Sequence, residues 1–201
     1  MSRNIIAILR GIKPNEVLKV SQVIANSGIY YIEVALNSPD AFESIRLLRN
    51  KFSDNIQIGA GTVTKIGEVL ALSRLGVDFI VSPNFDHEVV NATKKAKRIS
   101  YPGVTTASEC YSAINCGADG LKFFPASLLG IENFKALKAI LPKDIPFYMV
   151  GGIQPENFSS WLNAGATGFG IGSGIYKAED SPESVSIKSK LIVQSYDQAQ
   201  K

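Results

Sequence analysis

Three side chains interrupt otherwise apolar strand-like segments, and each could do chemistry there. Lys122 lies in Asp119-Gly120-Leu121-Lys122-Phe123-Phe124-Pro125. If this is a strand, Leu121 and Phe123 share one face and Lys122 points to the other. An ammonium on the inner face of a barrel is poorly solvated. Its pKa then falls, and the neutral amine becomes available as a nucleophile. Glu33 lies in Tyr30-Tyr31-Ile32-Glu33-Val34-Ala35-Leu36, between two apolar neighbours of opposite parity. A carboxylate in that position is costly unless it is paired or used for proton transfer. Arg10 ends the apolar run Ile5 to Leu9 and precedes Gly11. An arginine at a strand end suits bidentate capture of a carboxylate. Each residue has a plainer reading. Lys122 can snorkel or pair with a carboxylate, Glu33 can be that partner, and Arg10 can be a surface cation. An imine-forming lysine with a neighbouring acid–base group accommodates the first two together.

Two glycine clusters add a possible anion site. Gly151 and Gly152 follow one strand-like segment. Gly170, Gly172, Ser173 and Gly174 follow the next. Glycines let backbone N–H groups approach a phosphate closely, and (β/α)8 barrels often bind phosphate after their last two strands. The clusters close the chain's pattern, whereas a dinucleotide fingerprint would open it. The lone His87 follows Asp86 near a helix start and has no ligand partners at useful spacing. It reads as a surface residue. There is no Cys/His cluster and no nucleophile elbow, so neither a metal nor another cofactor is expected.

The elements that must position these residues alternate between strand and helix. Strands are predicted at 4–9, 30–36, 56–60, 77–82, 98–102, 119–124, 145–150 and 167–172, all short, apolar or β-branched, and bounded by turn residues. Ser38-Pro39-Asp40 and Ser181-Pro182-Glu183 read as helix starts with a capping Ser before Pro. Thr106 with Glu109 fits a capping box. Gln154-Pro155-Glu156 also places Pro at a helix start. Gly28, Gly76, Gly117 and Gly165 each separate a helix from a strand, as helix-ending glycines do. The tail from Pro182 reads as a last helix packing through Val185, Ile187, Leu191, Ile192 and Tyr196. Eight βα units predict an α/β fold, a single (β/α)8 TIM barrel domain over 1–201, with an open doubly wound sheet as the alternative. Eight units in 201 residues leave no room for a large lid. A neighbouring subunit is therefore a natural way to complete a shallow mouth.

Bulk properties exclude several functions. The formal net charge is +3, enough to favour an anionic small molecule and too small to argue for nucleic acid. The basic run Lys94, Lys95, Lys97 and Arg98 falls at an expected helix end, where cations complement the helix dipole. Cys110 and Cys116 lie roughly 240° apart around one helix and do not suit a disulfide. The apolar run Ile5 to Leu9 is too short for a signal core or membrane span. The expected location is the cytoplasm, away from membranes.

The motifs, taken in order, resemble the KDPG/KHG aldolase family: AILRG (7–11), IEVALNSP (32–39), GAGTV (59–63), VSPN (81–84), PGVTTASE (102–109), LKFFPAS (121–127), VGGIQPEN (150–157) and GIGSG (170–174). The resemblance covers nearly the whole chain. It implies class I chemistry without a cofactor, with Lys122 as the Schiff-base lysine and Glu33 as proton shuttle. It also implies Arg10 on the substrate carboxylate, Thr62 and Pro83 at the pyruvate end, and Gly151, Gly152, Gly172 and Ser173 around the phosphate. The implied substrate is a phosphorylated keto-deoxy sugar acid, and the implied assembly is a homotrimer. Gluconate-type members carry an arginine where this chain has Asn37 and a threonine where it has Val150. Those departures point to the galactonate-type branch, with 2-dehydro-3-deoxy-6-phosphogluconate or 4-hydroxy-2-oxoglutarate as the alternative substrates. An epimerase-like phosphate barrel would need a paired-carboxylate or metal centre that the motifs do not assemble. A non-catalytic sugar-phosphate binder would have little use for an inward Lys with an inward Glu.

Overall fold

The computed structural model describes residues 3–52 and 55–201. Among the described residues, nine strands form one wholly parallel sheet: β1 (Ile5–Leu9), β2 (Tyr31–Ala35), β3 (Gln57–Gly61), β4 (Phe79–Val81), β5 (Ile99–Tyr101), β6 (Gly103–Val104), β7 (Leu121–Phe123), β8 (Phe147–Val150) and β9 (Gly168–Ile171). Their order in the sheet is β5-β4-β3-β2-β1-β9-β8-β7-β6. The terminal neighbours β5 and β6 are consecutive in the chain, separated only by Pro102. Tyr101 still accepts from the Ser82 amide on the β4 side at 3.2 Å, whereas the Pro102 carbonyl accepts from the Lys122 amide on the β7 side at 2.9 Å. Pro102 has no N–H to give either neighbour. One broken strand therefore hands its bonding from β4 to β7 and completes the ring. The result is a (β/α)8 barrel whose fifth position holds β5 and β6 together.

Each of the eight predicted strands overlaps an observed one, most with ends trimmed by a residue or two; β3 is shifted one residue onward from 56–60, β6 falls beyond the predicted 98–102, and the helices lie between the strands. They are α1 (Pro14–Asn26), α2 (Ala41–Lys51), α3 (Ile66–Arg74), α4 (His87–Lys95), α5 (Ala107–Asn115), α6 (Ala126–Leu129), α7 (Ile131–Ile140), α8 (Phe158–Asn163) and α9 (Pro182–Ala199). Strand alternation divides the apolar side chains in two. Ile5, Ala7, Ile32, Val34, Leu121 and Phe123 pack outward against the helices. Ile6, Ile8, Phe79, Tyr101, Tyr148 and Val150 fill the barrel. Inside, the rings of Tyr31, Phe79, Tyr101 and Tyr148 form a chain with centroid separations of 6.1, 6.1 and 5.0 Å. Tyr148 pairs in register with Lys122, so this aromatic layer borders the lysine.

Most of the local signals hold. The Thr106 hydroxyl accepts from the Glu109 amide at 3.3 Å, and the Glu109 carboxylate accepts from the Thr106 amide at 2.8 Å. Ser181 caps α9 through the Ser184 amide at 3.2 Å. Asp86 caps α4, leaving His87 exposed. Gly28, Gly76, Gly117 and Gly165 all take positive φ. Pro155 opens a short 3-10 turn, Pro155–Asn157, ahead of α8. Both cysteines are free.

Two expectations fail. Ser38 does not cap a helix, because α2 starts at Ala41 after a left-handed Asp40. The buried Ser38 hydroxyl instead accepts from the Gly11 amide at 2.8 Å and faces the Leu9 carbonyl at 3.3 Å. It fastens the end of β2 to the end of β1, where parallel pairing has run out and two backbone groups need partners. In α9, Ile187 and Leu191 are 71% and 55% exposed; Val185, Ser189, Ile192, Val193 and Tyr196 are the buried residues. The buried set advances by four, three, one and three residues, one helix face. Ile187 and Leu191 lie off that face despite their apolarity.

Candidate active site

Lys122 and Glu33 both point into the barrel, as strand parity predicts. Lys122 is 5% exposed and Glu33 2%. Glu33 stands beside Ile8 in the β1–β2 ladder and beside Gly59 in the β2–β3 ladder. Two glycines of β3 make the space. A Cβ on Gly59 would strike the Phe79 ring, and one on Gly61 would strike the Glu33 carboxylate. Gly103, register partner of Lys122, plays the same part on the other side: a Cβ there would run into the Pro83 carbonyl. The loop after β4 thereby comes to lie beside the lysine strand. Thr62, directly after Gly61, sits at φ 60, a left-handed conformation uncommon for a threonine. Such strain is concentrated at functional sites.

Burial governs the electrostatics. Desolvation lowers the Lys122 pKa, opposed by the Glu33 carboxylate and assisted by the Arg10 guanidinium. Desolvation raises the Glu33 pKa, opposed by Lys122 and Arg10. The two groups thus move toward each other, an amine inclined to be neutral beside a carboxyl inclined to be protonated. That is the arrangement needed for nucleophilic addition to a ketone with proton transfer at the same centre. The Lys122 ammonium also lies 4.9 Å from the centroid of the Phe124 ring.

Phe124 lines a cavity of about 320 Å³ at the C-terminal ends of β1, β7, β8 and β9. Arg10, Val150, Gly151, Gly152 and Ser173 contribute to the same wall, as does Gly172. Gly151 and Gly152 adopt φ 91 and φ 72, a region that favours glycine. Among the described residues, no protein acceptor takes the amides of Gly151, Gly152, Ser173 or Gly174. Four amides without a protein acceptor, on residues that line one cavity, are donors that suit an anion cup.

The structure therefore gathers Arg10 and the four expected phosphate-loop residues around one cavity; Lys122 and Glu33 do not line it themselves, but each adjoins a residue that does, Phe124 and Ile8. Thr62 and Pro83 lie at the rim over β3 and β4 and do not line that cavity. Of the two departures from the gluconate-type pattern, Val150 lines the cavity, whereas Asn37 is exposed in the turn after β2. The sequence reading did not single out Gly61, Phe124 or Lys177. Gly61 had a signal, a second glycine two residues after Gly59 on the inward parity of β3. Lys177 had none, because it lies in a loop that no periodicity addresses. Among the described residues, no three His, Cys, Asp or Glu side chains converge as a metal site.

Comparison with known proteins gives one answer. A family model described as KDPG and KHG aldolase matches residues 1–188. The 2-dehydro-3-deoxy-6-phosphogalactonate aldolase of Escherichia coli K12 is 41% identical over 195 residues, covering 97% of this chain and 95% of that protein. A solved native KDPGal structure superposes with a TM-score of 0.97 at 40% identity, covering 100% of this chain and 97% of the other. A KDPG aldolase from Legionella pneumophila, with pyruvate captured at low pH as a covalent carbinolamine intermediate, superposes with a TM-score of 0.83 at 28% identity, covering 98% and 94%. Agreement of this extent in both sequence and fold, over relatives of nearly the same length, establishes that the chain belongs to the KDPG and KHG aldolase family of carbon–carbon lyases.

Proposed function

We propose that the whole chain acts as one barrel domain cleaving 2-dehydro-3-deoxy-6-phosphogalactonate to pyruvate and glyceraldehyde 3-phosphate, with Lys122 as imine-forming nucleophile. The observation that carries this reading is the buried Lys122–Glu33 pair on the inner barrel wall, in space vacated by Gly61. In the proposed cycle the neutral Lys122 amine attacks the C2 ketone. Glu33 carries protons so that water leaves the carbinolamine and an iminium forms. Glu33 then accepts the C4 hydroxyl proton as the C3–C4 bond breaks and its electrons pass into the iminium. Glyceraldehyde 3-phosphate departs, and the enamine is protonated at C3. Water adds to the resulting iminium and releases pyruvate and the free amine.

Thr62 and Pro83, at the rim over β3 and β4, are assigned to the pyruvate end. Gly151, Gly152, Gly172 and Ser173 are assigned to the phosphate. The family resemblance placed Arg10 on the substrate carboxylate. Its place on the cavity wall beside the glycine loops favours the phosphate, and that is the role proposed here. The chain is further proposed to work as a homotrimer in the cytoplasm. Ile66 and Leu70, four residues apart on α3 and both exposed, suit an intersubunit contact. Among the described residues, no helix is long and apolar enough to cross a membrane.

The decisive experiment is reductive trapping. Pyruvate with borohydride should leave one pyruvate-derived adduct, mapped to Lys122. An adduct on another lysine, or none, overturns the mechanism.

A further inference from the structure

We infer that Lys177 is a second cation of the phosphate subsite, and that together with Arg10 it makes the site select substrates ending in a phosphate dianion. The inference rests on the aldolase reading above and deepens its substrate choice. Arg10 and Lys177 are the charged side chains on the cavity wall, and no carboxylate lines it. They share that wall with the residues of the four unbonded amides. A phosphate carries roughly −1.5 to −2 charge on three terminal oxygens at neutral pH. A carboxylate brings one charge and two oxygens, and a free hydroxymethyl group brings none. Only the dianion can use two cations and the cup together.

The loop bearing Lys177 is held in place from several directions. The buried Tyr176 donates its hydroxyl to Glu16 of α1 at 3.0 Å. Ala178 rests against Gly11, where an added Cβ would come within 3.2 Å of the alanine methyl. That contact sets the Lys177 loop directly against the turn that follows Arg10. The Lys177 backbone amide donates to Asp180 at 2.7 Å, and the Asp180 carboxylate is in turn paired with Lys188 at 2.7 Å. Lys13 takes Glu179 and Lys188 takes Asp180, the two carboxylates that follow Lys177 in its loop, and among the described residues the Lys177 ammonium has no ion-pair partner.

The test compares Lys177→Gln and Lys177→Arg with wild type on three substrates: the phosphorylated sugar acid, its dephosphorylated analogue and 4-hydroxy-2-oxoglutarate. Lys177→Gln should lower kcat/KM for the phosphorylated substrate by about tenfold or more, the scale of one charge-assisted hydrogen bond. The loss should fall mainly on KM, and inhibition by inorganic phosphate should weaken in parallel. The preference over the other two substrates should shrink by the same factor, and Lys177→Arg should restore most of it. Equal losses on all three substrates, or unchanged KM and phosphate inhibition, overturn the inference. The Lys122 pyruvate adduct, measured on the same samples, separates the two levels. An adduct with no Lys177 effect refutes this inference alone, and no adduct in wild type refutes the aldolase mechanism with it.

Discussion

Gly61 leaves the space that the Glu33 carboxylate fills: a methyl group built on its backbone would collide with Glu33 Oε1 and Cδ. The neighbouring strand, and not only the strand carrying the carboxylate, therefore sets where the proton-transfer group stands. Gly61→Ala should displace Glu33 and lower kcat by about 10²-fold, the scale of a misplaced catalytic group. It should also cost about 1–3 kcal/mol of stability through overpacking. Steady-state kinetics and a denaturant titration check the two effects. Near-normal turnover would mean that the carboxylate need not stand where β3 makes room for it.

Glu33→Gln keeps the shape of the side chain and removes its capacity to take a proton. Cleavage should fall by roughly 10²–10⁴-fold, the range for a positioned acid–base group, while the circular dichroism spectrum stays unchanged. Turnover close to wild type would assign the proton transfers to water or to another group.

The two buried groups also predict a pH response. Only unprotonated Lys122 adds to a ketone, and burial lowers its pKa. The rate of pyruvate trapping should therefore rise with pH and reach half its plateau below the ordinary lysine range. Glu33, where ionised, holds the Lys122 pKa up. Removing that charge in Glu33→Gln should move the trapping limb to still lower pH. A limb that stays put, or moves upward, would mean that the carboxylate exerts no such influence.

Substrate stereochemistry should turn on Val150, which ends β8 and lines the cavity. Valine offers no hydrogen bond where gluconate-type members carry a threonine hydroxyl. The galactonate-derived substrate should have the higher kcat/KM, with its C4 epimer still measurably cleaved. A net hydrogen bond is worth roughly 0.5–1.5 kcal/mol, up to about tenfold. Val150→Thr should narrow or reverse the gap. Preference of the wild type for the gluconate epimer would contradict this reading of Val150 and leave the imine chemistry intact. Asn37, exposed in the turn after β2, is expected to matter less than Val150.

Local physics determined what was legible in the sequence alone. Alternation along a strand put Lys122 and Glu33 on the inner face before any partner strand was known, because successive side chains point to opposite sides. Thr106 and Glu109, three residues apart, could cap only the helix between them. The glycines at 151–152 and 170–174 marked two loops of unusual backbone. Tertiary structure decided the rest, because those features depend on which segments meet. Ser38 left the helix-cap role for the orphaned backbone at Leu9 and Gly11, a partner 27 residues away. Ile187 and Leu191 proved exposed because the barrel presents α9 with one packing face only. Pro102 became the point where one strand changes neighbours, which has meaning only in a closed ring. Lys177 reaches the cavity because Tyr176, Ala178 and Asp180 fasten its loop to α1, to Gly11 and to Lys188. No periodicity carries that information, since closure brings together residues that are far apart in sequence.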